Sequence, residues 1–413
     1  MIDIGRRQSD RPARPVEIAA ALLTGGRDPH YALGLATALI SRRVCLDVIG
    51  SDEMGGREMH AEPRLRFLNL RGDVRPDASL ARKVWRVLSY YARLIRYAVN
   101  ARPRIFHILW NNRLEPFDRT LLMLYYKLLG KTIVFTAHNV NAAQRDARDS
   151  LLNRLTLRIQ FHLVDHIFVH TKRMKREIID EFGAQERAVT VIPYGINTVV
   201  PDTALTPLEA KQRLGITRDQ RTILFFGYIA PYKGLDVLVA AFRHIVATNA
   251  AFRLIIAGRV KGGFETYWRD IQETLDESVA PATVIARIRF IPDEEIEVYF
   301  KAADVLALPY TRIFQSGVLF LGFRFGLPAI AADVGSLAED IIEGRTGFLC
   351  RPGDPVAMAK VIEAYFASEL FRDLDSRRRD IQENMGARHS WDVVGTLTRD
   401  VYAELLGHPR WDS

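Results

Sequence analysis

Residues 222–242, T-I-L-F-F-G-Y-I-A-P-Y-K-G-L-D-V-L-V-A-A-F, place a lysine at the end of a glycine-marked turn, a setting that suits phosphate. Ile223 to Phe226 is a continuous apolar run, the pattern of a strand buried on both faces of a parallel sheet. Gly227 ends it. Leu235, Leu238, Val239, Phe242, Ile245 and Val246 then recur at helical spacing, so Lys233 and Gly234 fall where a helix begins. The free N–H groups and positive dipole end of that helix, with an ammonium beside them, match phosphate oxygens. A plain strand-to-helix turn with a solvated lysine would give the same residues, and the spacing of a P-loop is absent.

Three further places carry residues able to do chemistry. Gly25 ends the strand-like run 16–25 and Gly26 follows it, at the C-terminal end of a strand, where open α/β sheets bind ligands; a Gly-Gly pair is otherwise an ordinary turn. Trp110, Asn111 and Asn112 close the run 104–110, which contains His107, and either line an acceptor pocket or form a loop. His138 falls at the end of 131–137 in T-A-H-N, where a structural histidine is as natural as a functional one.

The elements that must position these residues alternate. Strand-like runs at 44–50, 65–70, 104–110, 131–137, 166–170 and 188–193 have helical segments between most of them, and a second series reads 222–228, 252–258, 287–292, 305–310, 328–332 and 347–351. Such alternation predicts α/β architecture with two doubly wound, Rossmann-like domains. The proline and polar residues of V-V-P-D-T-A-L-T-P, 199–207, mark the boundary. The expected division is 1–200, 201–385 and a terminal helical segment, 386–413.

A chain of 413 residues, 48% hydrophobic and 26% charged, is large enough for two cores. Cys45 and Cys350, both in strand-like runs, read as buried thiols of a reducing compartment. No C-x-x-C or H-E-x-x-H pattern suggests a metal. The first fifteen residues are basic without the apolar core of a signal peptide, and read as a flexible arm. No apolar run approaches the roughly 18 residues of a membrane span, so a cytoplasmic or peripheral protein is expected.

The net charge of +8 is uneven: residues 1–200 hold 32 Lys+Arg against 20 Asp+Glu, so the excess lies in the first half. Its clearest expression is the helix expected at 80–100. Arg82, Arg86, Arg93, Arg96, Tyr90 and Tyr97 share one face, and Trp85, Leu88, Tyr91, Ile95 and Val99 the other. Either the apolar face packs on the sheet and the basic face is solvated, or arginines and tyrosines contact an anionic membrane surface. Nucleic acid is not expected, because no recognition motif accompanies the charge.

G-Y-I-A-P-Y-K-G-L-D resembles the motif that opens the C-terminal domain of the family 4 glycosyltransferases of GT-B fold, and the likeness runs from G-G-R-D-P-H-Y to the last helix. The resemblance implies a glycosyltransferase that moves a sugar from a UDP- or GDP-linked donor to an acceptor hydroxyl, with retention of anomeric configuration and no cofactor or metal. It implies that Lys233 and the residue at Tyr228, ordinarily an arginine, hold the donor diphosphate after Gly227. Gly25 and Gly26 would face the phosphates, His138 would approach the donor sugar, and the last helix would pack back on the first domain.

The likeness has a defect. Two glutamates that the family shows ahead of G-L-P are replaced by Ile313 and Leu321, which have no acceptor atoms. Backbone N–H groups of Gln315, Ser316, Gly317 and Val318 would then bind the donor, or Glu339 or Asp333 would substitute, or catalysis has been lost. The Q-S-G-V stretch also reads simply as a helix start capped by Ser316. The expected acceptor is a glycan or lipid-linked glycan of cell-surface or exopolysaccharide synthesis. A noncatalytic nucleotide-sugar-binding scaffold, and a GT-B epimerase or phosphorylase, are the alternatives.

Overall fold

A computed structural model of the protein describes residues 17–54, 62–72, 79–145 and 149–407. The basic N-terminal arm lies outside these residues. The first domain holds seven strands: β1 (Ala19–Leu23), β2 (Cys45–Gly50), β3 (Leu65–Asn69), β4 (Ile105–Ile108), β5 (Thr132–Ala137), β6 (His166–Val169) and β7 (Val189–Val191). Their order is β3-β2-β1-β4-β5-β6-β7, all parallel. The second holds β8 (Arg221–Phe226), β9 (Phe252–Gly258), β10 (Val284–Ile288), β11 (Val305–Leu308), β12 (Ala329–Ala332) and β13 (Gly347–Cys350) in the order β10-β9-β8-β11-β12-β13. Both sheets are doubly wound, with a switch point between β1 and β4 and another between β8 and β11.

Continuous apolar runs are needed because each sheet is covered on both faces. Ala21 and Leu23 of β1 enter one core while Ala20 and Leu22 enter the other. In β8, Ile223 and Phe225 face one core and Leu224 the opposite one. β10 begins three residues before the expected 287, because Val284–Ile288 pairs with Leu254–Gly258 and leaves Arg289–Pro292 as loop.

Eight helices matter for the site. They are α1 (Pro29–Ser41), α2 (Leu80–Asn100), α3 (Met123–Leu128), α4 (Leu151–Leu163), α5 (Lys172–Phe182), α6 (Leu235–Thr248), α7 (Gly317–Arg324) and α8 (Trp391–Leu405). Three of the starts that border the cleft or join the domains have a local cause. Thr171, Ser316 and Ser390 cap α5, α7 and α8 with side-chain oxygens on the N–H three residues on. The crossing segment is not a loose spacer: Ile196, Val200 and Leu205 are buried in the second domain's core. α8 returns to the first domain, where Val394, Val401 and Tyr402 join the core beside α1. Trp391 donates its indole N–H to the Ile196 carbonyl at 2.8 Å and lies over Gly34 and Gly195, whose added Cβ atoms would sit 2.2 and 2.6 Å from its ring.

The amphipathic helix α2 is oriented differently from the expectation. Trp85, Leu88 and Val99 are exposed, as are Leu80 and Val84, so the apolar stripe faces outward and does not pack on the sheet. The buried side is Tyr90, Tyr91, Leu94 and Ala98. Tyrosine suits that side because its hydroxyl carries a partner inward: Tyr90 donates to Asn112 at 2.7 Å, Tyr91 to Asp118 at 2.9 Å and the half-buried Tyr97 to Asp47 at 2.7 Å. The tyrosines are therefore withdrawn from any surface contact, whereas Arg82, Arg93 and Arg96 are exposed and Arg86 is half-buried.

Candidate active site

On the second-domain side, the segments at the ends of three neighbouring strands meet at one corner. Gly227, after β8, has φ +110°, a backbone that L side chains avoid. Gly258, the last residue of β9, has φ +148°, and a Cβ there would sit 1.8 Å from the Gly227 carbonyl oxygen. Gly234, with φ +64°, closes the turn, and its Cβ would sit 2.0 Å from the Pro309 carbonyl. Glycine is thus required to bring the loops after β8, β9 and β11 into contact.

Lys233 lies in this corner in a 3-10 turn, Pro231–Lys233, directly before α6. It is buried, in contrast to the solvated lysine of a plain turn, and its Nζ sits 3.8 Å from the Tyr310 ring centroid. Tyr310 is itself buried after β11, and its hydroxyl is 3.3 Å from the Ser316 hydroxyl. Ser316 caps α7, so the N-terminus of that helix, with Gly317 and Val318, opens on the same corner. Val318 would be 3.5 Å from a Cβ on Gly227. Lys233, Gly227, Ser316, Gly317 and Val318 are therefore brought together.

Tyr228 is 45% exposed and holds a different partner from the one expected of that position. Its hydroxyl accepts from Nη2 of Arg259 at 2.6 Å. Ile313 and Leu321 pack in or against the hydrophobic core beside α7, Leu321 being 8% exposed. Of the two substitute carboxylates, Glu339 is engaged elsewhere. Its oxygens accept the backbone N–H groups of Lys172 and Arg173, each at 3.0 Å, at the N-terminus of α5 in the first domain. A donor-binding role for Glu339 conflicts with that geometry, since an anion on a helix N-terminus is already in a favourable place. Asp333 is exposed and lines an interdomain pocket of about 830 Å³, with Ile313 and Ser336 on the same wall. Next to it, Asp340 is buried, and desolvation pushes its carboxyl up to about 7 against a 3.2 Å bond from Gln315.

On the first-domain side, Gly25 (φ +60°) and Gly26 (φ +68°) turn the chain after β1. A Cβ on Gly25 would meet the Trp110 carbonyl at 2.6 Å and one on Gly26 the Arg71 side chain at 2.8 Å. His138 stacks on Trp110 with centroids 4.1 Å apart and planes 7° off parallel, and meets the edge of Tyr31 at 4.5 Å. Its Nδ1 is 3.0 Å from Nε2 of His170, and its Nε2 is buried with no hydrogen-bond partner among the described residues. Desolvation first, then His170 and His107, hold its pKa well below the ordinary imidazole value, so the ring is neutral.

The aromatic nest reaches across the cleft. Tyr194 packs on Tyr31 at 5.4 Å and stacks on Phe320 of α7 at 5.1 Å, while its hydroxyl, 3.3 Å from a Cβ on Gly317, donates to Asp28 at 3.2 Å. His138 is thereby tied to the α7 start through Tyr31 and Tyr194.

Of the three residues expected on the acceptor side, Asn112 is engaged inside the first domain, as is His107 in the strand before it. Asn112 is buried, with its amide oxygen taken by Arg71 and Tyr90 and its NH₂ donating to Asp118, which leaves little for a ligand. His107 is fully buried between Tyr402 at 2.6 Å and Thr136 at 2.7 Å, and desolvation pushes its pKa down to about 3. Trp110 and Asn111 line a small pocket of about 60 Å³ with Arg27, Glu115, Arg119 and Gln160. Arg259, Tyr310, Tyr194 and His170 were missed because each gains meaning only from partners distant in sequence. Among the described residues no group of three or more His, Cys, Asp or Glu could hold a metal ion.

Two Rossmann-like domains that face each other across such a cleft form the GT-B arrangement of glycosyltransferases. The sequence matches the model of Glycosyltransferase Family 4 over residues 30–200 and that of Glycosyl transferases group 1 over residues 220–368. The two matches together span most of the chain, and the chain belongs to this glycosyltransferase family. It is 29% identical to the D-inositol 3-phosphate glycosyltransferase of Streptomyces avermitilis, over 60% of this chain and 53% of that protein. With the Corynebacterium diphtheriae protein of the same name it shares 28% identity over 66% of this chain and 65% of that one. The chain thus spans between about half and two thirds of the length of these relatives. In fold it is similar to Anabaena Alr3699/HepE in complex with UDP, with TM-score 0.72, 14% identity and coverage of 94% and 100% of the two chains. Sucrose-phosphate synthase from Thermosynechococcus elongatus superposes with TM-score 0.75 at 17% identity, covering 95% and 100%.

Proposed function

We propose that the protein transfers a sugar from a UDP- or GDP-linked donor to a hydroxyl of a glycan or lipid-linked acceptor, with retention, in cell-surface or exopolysaccharide synthesis. The observation that carries this reading is the corner where Lys233, the Gly227 turn and the Ser316-capped start of α7 converge. A lysine and a helix N-terminus at one glycine-lined site stabilise the negative charge that grows on a leaving diphosphate. HepE was solved with UDP, and the Streptomyces and Corynebacterium relatives are named as glycosyltransferases of a phosphorylated polyol. Both support a nucleotide-sugar donor and a hydroxyl acceptor.

In this account His138 contacts the donor sugar, Nε2 being the atom left to do so. Gly25 and Gly26 face the phosphates, and Trp110 and Asn111 line the acceptor side. A lipid-linked acceptor is favoured by the outward face of α2. Its exposed Trp85, Leu88 and Val99 continue onto exposed Leu121, Leu124 and Leu128 around α3, which Tyr125 ties to α2 through the Ile95 carbonyl at 3.2 Å. Arginines border this apolar surface, a composition suited to the interface of an anionic membrane. No described helix is long and apolar enough to cross a membrane.

The test is a screen of UDP- and GDP-sugars with product analysis by mass and anomeric configuration. The proposal expects one donor to be consumed and its sugar to appear on an acceptor hydroxyl with retained configuration. Tight binding without turnover over the donor and acceptor panel would favour the noncatalytic scaffold that Ile313 and Leu321 suggest.

A further inference from the structure

Strands β8, β9 and β10 lie side by side, and the residues just past their ends form a compact group. Arg259, after β9, has its guanidinium carbon 5.0 Å from the Tyr228 ring and 5.7 Å from the Phe290 ring. Phe290 is 63% exposed and Tyr228 45% exposed, so both rings present area to solvent beside the guanidinium. The Arg259 guanidinium makes its one hydrogen bond to the Tyr228 hydroxyl, and no carboxylate pairs with it among the described residues. Its charge is therefore held in place by neutral groups and not neutralised.

The guanidinium is also fixed relative to the lysine corner. The Ile229 N–H donates to the Arg259 carbonyl and the Lys261 N–H to the Ile229 carbonyl, both at 3.0 Å, which laces the loop after β9 to the turn that carries Lys233. The contact of Gly258 with the Gly227 carbonyl fixes the same two loops one residue earlier. A nucleoside diphosphate carries several negative charges, more than Lys233 and one helix start balance. An arginine offers donors in a planar fork that matches phosphate oxygens.

We propose that Arg259 is a second phosphate-binding cation of the donor site, supplying from β9 the guanidinium that the residue directly after β8 does not. Tyr228 acts as its positioning residue, orienting the fork through the hydroxyl and the ring face. The inference rests on the nucleotide-donor reading above and names the residue that recognises the diphosphate. It also accounts for a tyrosine at position 228: an arginine there would place two guanidinium groups against each other.

The experiment measures binding of UDP, GDP, UMP, GMP, uridine and guanosine to the full chain by calorimetry, using the base that wild type binds. Arg259→Ala is expected to weaken the diphosphate about 10- to 100-fold, the loss of one charge-assisted contact. The nucleoside should change less than about 2-fold, because the lost contact is to phosphate. Arg259 is exposed, so the unliganded variant should keep the wild-type melting temperature. Tyr228→Arg in the Arg259→Ala background should recover affinity for the diphosphate. If wild type binds the diphosphate and Arg259→Ala binds it equally well, the inference fails while the functional reading stands. Equal losses for nucleoside and diphosphate would also overturn it, by assigning Arg259 to the base. If wild type binds neither nucleotide, the functional reading itself fails.

Discussion

At the scale of single residues, the structure changes what substitution of Lys233 and Leu321 should do. Lys233 is buried against Tyr310, so Lys233→Ala removes a cation–π contact worth about 2 kcal/mol when desolvated, in addition to a phosphate contact. Urea unfolding should show that loss in the unliganded protein, and calorimetry a further loss of nucleotide affinity. Unchanged stability would place the ammonium in solvent. Restoring the family's glutamate by Leu321→Glu should fail, since the position is core and a buried carboxylate without a partner costs about 3 kcal/mol or more. A Leu321→Glu protein as stable as wild type would show that this side chain reaches the cleft. Asp340 makes a prediction in pH. Burial raises its pKa above the unfolded value, so the folded state binds the proton more tightly, and stability falls as pH rises from about 4 towards 7. Asp340→Asn should flatten that fall and make the protein more stable than wild type at pH 8. An identical pH profile in the variant would assign the carboxyl to solvent.

At the scale of elements, the strands were legible and the outward side of α2 was not. Apolar runs such as Ile223–Phe226 identify strands covered on both faces whatever covers them, so alternation alone gives the two sheets. The periodicity of α2 separates arginines from aliphatics but cannot tell which side is buried when tyrosines mark the boundary. Asp47, Asn112 and Asp118 decide it by accepting from Tyr97, Tyr90 and Tyr91, and they belong to segments outside the helix. The candidate site was legible where one segment carries it, as in the Lys233 turn and the Ser316 cap. It was obscure where separate loops meet: Arg259 and Tyr228 are 31 residues apart, and the Glu339 carboxylate is bound by a helix more than 160 residues earlier. The outward face of α2 predicts binding to vesicles containing anionic lipid. Arg86→Glu with Arg93→Glu should remove the salt-sensitive part, which is screened over about 10 Å at 0.1 M. Trp85→Ser with Leu88→Ser should weaken binding at every salt concentration, because apolar burial contributes about 25 cal/mol per Å² regardless of screening. Absence of vesicle binding, or loss from the arginine changes alone, would leave the apolar stripe without this role.

At the scale of the whole molecule, the two domains are joined by contacts of unequal strength. The Tyr194–Phe320 stack is an apolar contact between them, whereas Glu339 on the α5 N-terminus and Arg173 on the Gly335 carbonyl are polar contacts across the cleft. Glu339→Ala should therefore loosen the contact between the domains more than it unfolds either of them. Small-angle scattering of the unliganded variant should show a larger radius of gyration at an almost unchanged melting temperature. An unchanged radius would mean that the apolar contact alone holds the domains together.

The central claim is that this cleft binds a nucleoside diphosphate through Lys233, the Gly227 turn and the start of α7 even though Ile313 and Leu321 stand where the resemblance leads one to expect glutamates. The most direct measurement is the melting temperature with UDP, GDP and their monophosphates at millimolar concentration. A ligand at 100 times its dissociation constant adds about 2.7 kcal/mol to the form it binds, and each kcal/mol shifts melting by roughly 2 to 4 °C in domains of this size. The account predicts a rise of several degrees with one diphosphate, a much smaller rise with its monophosphate, and a reduced rise in Lys233→Ala. No movement of the melting curve with any nucleoside diphosphate or nucleotide sugar would contradict it.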